Sequence, residues 1–252
     1  MTIRFSNKTV LITGAGTGMG EAVAHRLANE GAQLILIGRR EAPLNALAAT
    51  LKEQGTSAYV LPCDIANEQA LNSAMQEIQQ TFDQLDGLFA NAGILEDFGP
   101  VADTPTQRFE ALFNVNLKGT FLSIKQALPL LVGGSIVINA SWTASGVMPG
   151  AGAYAATKGG LLSLMRNLAV EEGVKGTRVN AVSPGIILTP MADEVLDPAL
   201  SQKLADHTPL KRNGTPDDVS GTVAWLLSDD SRFVTGQDIA IDGGYTLGGV
   251  RL

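Results

Sequence analysis

The segment Thr13-Gly14-Ala15-Gly16-Thr17-Gly18-Met19-Gly20 decides the fold of this chain. It lies between a short β-branched run that ends at Thr13 and a stretch of helical periodicity over residues 21–30. Glycines are needed where a strand turns directly into a helix, because the turn uses backbone angles that side chains exclude. A phosphate must also come close to the amides at the helix N-terminus. The segment therefore predicts a strand, turn and helix that bind the pyrophosphate of a dinucleotide, with a tight turn that binds no ligand as the alternative.

Outward from this turn, short apolar runs alternate with amphipathic stretches along the sequence. Strands are predicted at residues 9–13, 33–38, 57–62, 85–90, 135–140, 178–182 and 238–241. Strands that alternate with helices form a parallel sheet, because right-handed crossovers place the helices on both faces. The runs are apolar on both sides, as in a sheet covered on both faces. We predict one α/β domain over residues 1–252, with a doubly wound, Rossmann-type, parallel seven-stranded sheet and helices on both faces.

Composition and charge exclude several classes of protein. The chain has 252 residues, 45% hydrophobic and 17% charged, which is typical of a globular protein. Its 18 Lys and Arg against 25 Asp and Glu leave a net charge of −7, so nucleic acid is not an expected partner. One cysteine, Cys63, excludes an intrachain disulfide, and no metal site is predicted, because the two histidines, His25 and His207, are far apart in the sequence. With no leader-like start and no long apolar run, we expect a soluble, cytoplasmic protein without a membrane partner.

The end of the second predicted strand bears on the choice of nucleotide. A protein that binds NAD places a carboxylate there, about 20 residues after the glycines, on the ribose hydroxyls. This chain has Gly38-Arg39-Arg40 instead. A guanidinium can hold a 2′-phosphate by charge-assisted hydrogen bonds, whereas a carboxylate would repel it. The sequence favours NADP(H), and NAD(H) remains possible if Arg39 and Arg40 are solvated loop residues beside Glu41.

A second motif follows the fifth predicted strand. Tyr154 and Lys158 are four residues apart in a helical stretch, so both lie on one face of the helix, and Ser141 comes thirteen residues before the tyrosine. A free phenol has a pKa near 10, and proton transfer near neutral pH needs that pKa lowered by roughly two to three units. A neighbouring ammonium favours the phenolate and can lower it. Tyr154 is therefore a candidate acid/base, although a tyrosine and a lysine at this spacing can also form an ordinary surface pair.

Taken together, these motifs identify the chain as similar to the short-chain dehydrogenase/reductase family over nearly its whole length. The matching segments, in order, are Thr13 to Gly20, Cys63-Asp64-Ile65, Asn91-Ala92-Gly93, Asn114-Val115-Asn116-Leu117, Ser141, Tyr154 to Lys158, Ser183-Pro184-Gly185 and Asp242-Gly243-Gly244. The resemblance implies that Tyr154 is the catalytic acid/base, and that Lys158 lowers its pKa and binds the nicotinamide ribose. It further implies that Ser141 orients the carbonyl and that Asn116 holds a water that relays protons to Lys158.

The resemblance also implies a set of cofactor-binding residues. Asp64 would bond the adenine amine, and residues 91–93 would line the adenosine. The full predicted set is Gly14, Thr17, Gly18, Met19, Gly20, Arg39, Arg40, Asp64, Ile65, Asn91, Ala92, Gly93, Tyr154, Lys158, Pro184, Gly185, Ile187 and Thr189. By the same analogy, the helices around residues 105–130 and 151–172 would assemble a homotetramer, or a homodimer.

The expected substrate is a small neutral ketone or secondary alcohol. Apolar residues recur over residues 186–210 and predict a helical lid, and the predicted substrate contacts are Ser141, Trp142, Met148, Tyr154 and Ile186. The activity that follows is an NADP(H)-dependent oxidoreductase that interconverts such a ketone and alcohol. A 3-oxoacyl-[acyl-carrier-protein] reductase is the alternative, although an acidic carrier would need a basic docking face. A sensor that binds NADP without turnover is the alternative from a different class.

Overall fold

The computed structural model describes residues 3–247 of the chain. Over this range seven parallel strands form one sheet: β1 (Thr9–Thr13), β2 (Gln33–Gly38), β3 (Ala58–Pro62), β4 (Gly87–Ala90), β5 (Ser135–Asn139), β6 (Arg178–Pro184) and β7 (Asp238–Ile241). Their order across the sheet is β3-β2-β1-β4-β5-β6-β7, and every neighbouring pair is parallel. The predicted doubly wound seven-stranded sheet is confirmed.

Helices connect successive strands and cover both faces of the sheet. The α-helices of the described range are α1 (Gly18–Asn29), α2 (Glu41–Glu53), α3 (Glu68–Thr81), α4 (Thr106–Leu112), α5 (Thr120–Ala127), α6 (Gly152–Gly173), α7 (Pro190–Asp193), α8 (Pro198–His207) and α9 (Pro216–Leu227). A π-helix, Phe113–Gly119, joins α4 to α5. Shorter 3-10 turns occur at Val101–Asp103, Leu128–Leu130, Trp142–Ala144 and Asp229–Ser231. Within residues 3–247, no helix has both the length and the apolar character that a bilayer crossing needs.

The strands are buried on both faces because successive side chains point to opposite sides. In β1, Leu11 belongs to one apolar cluster, which packs against α3, α5 and α6. Its neighbours Val10 and Ile12 belong to the other cluster, which packs against α1, α2 and α9. All three side chains are fully buried. The two clusters hold the sheet rigid between two helical layers, so the ends of the strands are fixed points on which a site can be built.

Several predicted strand ends are wrong by one or two residues. The strand expected at 57–62 begins at Ala58, and the strand expected at 85–90 begins at Gly87, because Leu85 N–H donates to Leu130 O outside the sheet. The strand expected at 135–140 ends at Asn139, whereas β6 continues past 182 to Pro184, since Ser183 and Pro184 pair with β7. The first helix begins at Gly18 and not at residue 21, so the last glycines of the turn form its first residues.

The order in which strands are added to the sheet reverses between β1 and β4, and this reversal marks the position of the candidate site. Connections from these two strands leave toward opposite sides, so a crevice opens at their carboxyl ends, where doubly wound sheets bind ligands. Asn91, which follows β4, bridges this point: its Nδ2 donates to Thr13 O at 3.0 Å and to Gly14 O at 3.1 Å. The glycine turn is thereby tied to the neighbouring strand.

Candidate active site

Two adjoining cavities open at the carboxyl edge of the sheet. The larger, about 410 Å³, lies above the glycine turn and the ends of β1, β2 and β4. The smaller, about 120 Å³, lies between the end of β5 and the segment that follows β6. The residues that line both are Met19, Leu95, Asn139, Tyr154, Thr189 and Met191. Tyr154 therefore stands at the junction of the two cavities.

The glycine turn has the form that a dinucleotide pyrophosphate requires. Gly14 has a φ of +65°, which is unfavourable for any residue with a side chain. A Cβ at Gly20 would lie 2.1 Å from Gly14 O, so only glycine allows α1 to start this close to the turn. The N-terminus of α1 consequently faces the larger cavity with its backbone amides uncovered by side chains, and this is a favourable place for phosphate oxygens.

The far end of the larger cavity combines positive charge with a hydrogen-bonding carboxylate. Arg39 and Arg40 are exposed at its rim, and Arg40 Nη2 lies 3.4 Å from Thr17 Oγ1 of the glycine turn. Asp64 lines the cavity after β3, where its Oδ1 accepts a hydrogen bond from Ala66 N–H at 2.9 Å. The neighbouring Cys63 is buried, and burial raises the pKa of its thiol to about 11. The groups present therefore fit a dinucleotide, from the pyrophosphate turn to the adenosine end.

Helix α6 carries the predicted tyrosine and lysine. Lys158 is buried, and its Nζ donates to the backbone oxygen of Asn139 at 2.7 Å. The same ammonium lies 5.6 Å from the centroid of the Tyr154 ring, as the four-residue spacing predicted. Burial lowers the pKa of Lys158 to about 8, because the charged form loses its hydration.

Ser141 faces the same point from the opposite side, just after β5. It has an extended backbone and begins the 3-10 turn that follows. Its Oγ accepts a hydrogen bond from Thr143 N–H at 3.2 Å and forms a second hydrogen bond with Thr143 Oγ1 at 2.9 Å. Burial raises the pKa of Tyr154 to about 12, and hydrogen bonding by Ser141 acts weakly in the other direction. In the protein alone, the phenol is thus held in its protonated form.

Asn116 is buried in the π-helix, while Asn114 is exposed. The side chain of Asn116 pairs with the backbone of the segment that follows β4: its Oδ1 accepts from Ile94 N–H at 2.7 Å, and its Nδ2 donates to Ile94 O at 2.9 Å. This pairing anchors Ile94, which begins the stretch that carries Leu95 and Phe98 of the smaller cavity. Its predicted water relay to Lys158 stays a prediction.

Most of the residues predicted to bind the cofactor line the larger cavity. Those that line the larger cavity are Gly14, Thr17, Gly18, Met19, Arg39, Arg40, Asp64, Ile65, Asn91, Ala92, Gly93, Tyr154, Lys158 and Thr189. Gly20 lies behind the turn, and Pro184, Gly185 and Ile187 line the smaller cavity instead of the larger one. All five predicted substrate contacts, Ser141, Trp142, Met148, Tyr154 and Ile186, line the smaller cavity.

Sequence reasoning missed several residues of the site. Asn139 and Thr143 bond directly to Lys158 and Ser141, and both flank Ser141 in sequence, so proximity to the serine was an available signal. Leu95 and Phe98 reach the smaller cavity from the segment after β4, which has no periodic pattern. By contrast, the segment 186–210 was predicted as an apolar lid; it contains α7 and α8, and its Met191, Val195 and Leu196 line the smaller cavity. The smaller cavity is therefore closed mainly by apolar side chains.

Comparison with known proteins gives concordant matches along almost the whole chain. The family model described as Enoyl-(Acyl carrier protein) reductase matches residues 14–246. Levodione reductase of Leifsonia aquatica is 38% identical, over 96% of this chain and 96% of the relative. Cyclopentanol dehydrogenase of Comamonas sp. (strain NCIMB 9872) is 36% identical, over 96% of this chain and 98% of the relative.

A solved structure agrees with the sequence matches. NAD⁺-bound xylitol dehydrogenase superimposes with a TM-score of 0.91 at 32% identity, over 96% of this chain and 100% of the other. A family model that matches most of the chain, relatives well above 30% identity and the same fold all point to one group of enzymes. The chain belongs to the short-chain dehydrogenase/reductase family of oxidoreductases that act on alcohols and ketones.

Proposed function

We propose that this protein is an NADP(H)-dependent oxidoreductase that interconverts a small neutral ketone and a secondary alcohol. One observation carries the proposal: Ser141, Tyr154 and Lys158 converge where a small apolar cavity meets a cavity shaped for a dinucleotide. A carbonyl carbon held in the smaller cavity would lie between the proton donor and the nucleotide, which is the arrangement that hydride transfer requires.

A nicotinamide nucleotide held above the glycine turn, with its ribose at Tyr154 and Lys158, would supply the hydride for reduction of the carbonyl carbon. Ser141 donates a hydrogen bond to the carbonyl oxygen and stabilises the negative charge that develops on it. Tyr154 then transfers its phenolic proton to that oxygen, and Lys158 stabilises the phenolate that remains. Asn116 and a water would return a proton toward Lys158. In alcohol oxidation Tyr154 accepts the proton, so its pKa must fall from the value of about 12 that burial gives it.

Nearby positive charges can lower the pKa of Tyr154. Lys158 has a pKa lowered to about 8, so its ammonium is about half formed or more at neutral to mildly alkaline pH. A phenolate next to it would favour the charged ammonium, and the positive charge of an oxidised nicotinamide would add to the effect. The two residues then titrate as a coupled pair whose ionisation depends on the occupied site.

The size and lining of the smaller cavity support an apolar substrate. A volume of about 120 Å³ suits a compact ring or a short aliphatic chain. Its walls are formed largely by side chains such as Leu95, Phe98, Trp142, Met148 and Leu196. The name of the related cyclopentanol dehydrogenase is in accord with a cyclic alcohol, and levodione reductase is related at a similar level.

Arg39 and Arg40 support the choice of NADP(H), because two guanidiniums stand at the rim where a 2′-phosphate would lie. NAD(H) remains possible, since a related xylitol dehydrogenase was solved with NAD⁺. We further propose that the chain acts as one domain, that residues 186–210 serve as its substrate lid, and that it works in the cytoplasm as a homotetramer or homodimer. The cytoplasmic location follows from the lone cysteine, and the oligomeric state follows from the family resemblance.

A 3-oxoacyl-[acyl-carrier-protein] reductase is the alternative that the matching family model keeps open. The net charge of −7 disfavours docking of an acidic carrier, because like charges repel. An NADP-binding sensor is disfavoured by the convergence of Ser141, Tyr154 and Lys158, which binding alone does not require.

A spectrophotometric screen tests the proposal. The purified protein is mixed with NADPH or NADH and a panel of cyclic and aliphatic ketones and carrier-bound thioesters, and loss of reduced-nucleotide absorbance is followed. We expect turnover of small cyclic ketones with NADPH, and a decrease in kcat of about 100- to 10,000-fold for Tyr154→Phe, which removes the transferable proton. A preference for carrier thioesters would favour the alternative reductase. Nucleotide binding without turnover of any compound, with Tyr154→Phe equal to wild type, would favour the sensor.

A further inference from the structure

The Ser141 hydroxyl is held by a residue to which neither the motifs nor the proposed reaction gives a role. Thr143 lies two residues further on, in the 3-10 turn Trp142–Ala144, where its backbone N–H donates to Ser141 Oγ at 3.2 Å and its side-chain Oγ1 lies 2.9 Å from the same oxygen. Both residues are buried, each with 7% of its surface exposed. Ser141 Oγ therefore accepts one hydrogen bond from Thr143 and makes a second with the Thr143 hydroxyl.

This arrangement leaves Ser141 with one remaining function. A hydroxyl group has one proton to donate and two lone pairs with which to accept. The Thr143 N–H occupies one lone pair of Ser141, and a proton donated by the Thr143 hydroxyl would occupy the other, which leaves the Ser141 proton for the smaller cavity that Ser141 and Tyr154 both line. In that arrangement Ser141 is a donor toward the site and has no lone pair left for the phenolic proton.

The direction of this hydrogen bond matters for proton transfer. If Ser141 Oγ could accept, the neutral Tyr154 could donate to it, and the phenolic proton would then be held away from the substrate oxygen. If Ser141 only donates, it stabilises the phenolate and the alkoxide, the two oxygen anions that the reaction forms. The weak lowering effect of Ser141 on the pKa of Tyr154 is in accord with a donor.

On the basis of the proposed function, we propose that Thr143 is a positioning residue that fixes Ser141 as a hydrogen-bond donor to the substrate oxygen and to Tyr154. It acts through Ser141 and does not itself touch the reacting atoms. The backbone N–H of residue 143 can bond Ser141 whatever the side chain is, but the second hydrogen bond needs the Thr143 hydroxyl. A residue of the same shape without a hydroxyl should therefore no longer fix Ser141 as a donor.

Two variants test the inference. Thr143→Val keeps the branched shape and removes the hydroxyl, whereas Thr143→Ser keeps the hydroxyl and removes a methyl group. Loss of one neutral hydrogen bond should lower kcat of Thr143→Val about three- to tenfold, with little change in KM for the ketone. The kinetic pKa for alcohol oxidation should move upward, because Ser141 stabilises the phenolate less once one of its lone pairs is free to accept. Thr143→Ser should recover most of kcat and the wild-type pH profile.

The controls separate this inference from the proposed function and from a merely structural role. Ser145→Ala, an exposed position at the end of the same turn, should leave kcat and the pH profile unchanged. An unshifted kinetic pKa in Thr143→Val, or a loss of kcat that Thr143→Ser fails to restore, would overturn the inference. If Tyr154→Phe is inactive while Thr143→Val equals wild type, only the inference fails; if Tyr154→Phe keeps full activity, the proposed function fails with it.

Discussion

Burial shifts the ionisation of the two central side chains in opposite directions. It lowers the pKa of Lys158 to about 8 and raises that of Tyr154 to about 12, because a site with little water disfavours either charged form. Asn139 O is the partner of the Lys158 ammonium, and a carbonyl dipole offsets a positive charge less than a carboxylate would. Burial therefore favours the neutral forms of both side chains until a bound ligand adds charge that stabilises an ionised form.

The lowered pKa of Lys158 should make the free energy of unfolding depend on pH. The pKa of Lys158 lies near 8 in the folded protein, against its ordinary value of 10.5 in an unfolded chain, so between these values the unfolded chain binds more protons and stability rises with pH. Lys158→Met removes the titration, so the free energy of unfolding of wild type, taken relative to that of Lys158→Met, should increase by about 1–2 kcal/mol from pH 7.5 to pH 9.5. Denaturant unfolding without nucleotide at the two pH values measures it. A difference that is independent of pH would mean that Lys158 is not desolvated.

The two arginines at the rim should decide between the nucleotides. Charge-assisted hydrogen bonds contribute about 1.5–3 kcal/mol each, so Arg39→Ala and Arg40→Ala should each raise KM for NADPH by roughly tenfold or more. KM for NADH should change little, because it lacks the 2′-phosphate. Steady-state kinetics with both nucleotides measure the ratio of the two effects. The charge-matched control is Arg232→Ala, at an exposed arginine directly after the 3-10 turn Asp229–Ser231. Equal losses with both nucleotides would contradict the assignment.

At the scale of elements, the first strand, turn and helix are a single unit in which backbone approaches backbone. Gly20 in the first turn of α1 is pressed against Gly14, whose φ is +65°. This contact sets how closely the helix N-terminus comes to the end of β1, and so how close a phosphate can come to the amides. The unit therefore serves both folding and binding.

Two glycine substitutions should test the role of this contact in folding and in nucleotide binding. Gly20→Ala would place a Cβ 2.1 Å from Gly14 O, so we expect a less stable protein and loss of nucleotide binding. Gly173→Ala at the end of α6 meets no atom within 4 Å and should be neutral or stabilise by up to about 1 kcal/mol. Thermal melting and nucleotide titration measure both. Tight binding by Gly20→Ala would show that the turn does not contact the pyrophosphate.

The elements themselves could be predicted from sequence, because apolar periodicity reports burial, and burial on both faces defines this sheet. Their ends could not, since the end of β6 depends on pairing of Ser183 and Pro184 with a strand about 55 residues away. Tyr154 and Lys158 were found because they are neighbours on one helix. The bond from Lys158 to Asn139 and the pairing of Asn116 with Ile94 depend on contacts between distant segments, which no local pattern records.

At the scale of the whole molecule, apolar surface remains exposed on the helices that flank the sheet. Phe109 and Phe121 are each more than 40% exposed, and Phe109 stacks on Phe113 with ring centroids 4.2 Å apart. A shallow groove beside them is lined by Phe113, Asn114, Leu117, Lys118, Phe121 and Leu164. These residues belong to α4, the π-helix, α5 and α6, which are the helices that the family resemblance assigns to subunit contacts. Exposed aromatic side chains clustered in this way are typical of a protein interface.

The size of the assembly should therefore depend on this surface. We expect wild-type protein to sediment as a tetramer or dimer, and Phe121→Glu to sediment as a smaller species, because burying a carboxylate in an apolar contact without a partner is costly. Phe121→Leu keeps the side chain apolar and should retain the wild-type mass, which separates the effect of charge from that of any substitution. Analytical ultracentrifugation at several concentrations gives the masses, and circular dichroism shows whether Phe121→Glu is folded. A wild-type monomer, or an unchanged mass for folded Phe121→Glu, would mean that the exposed phenylalanines serve another contact, since the helices that carry them would then not join subunits.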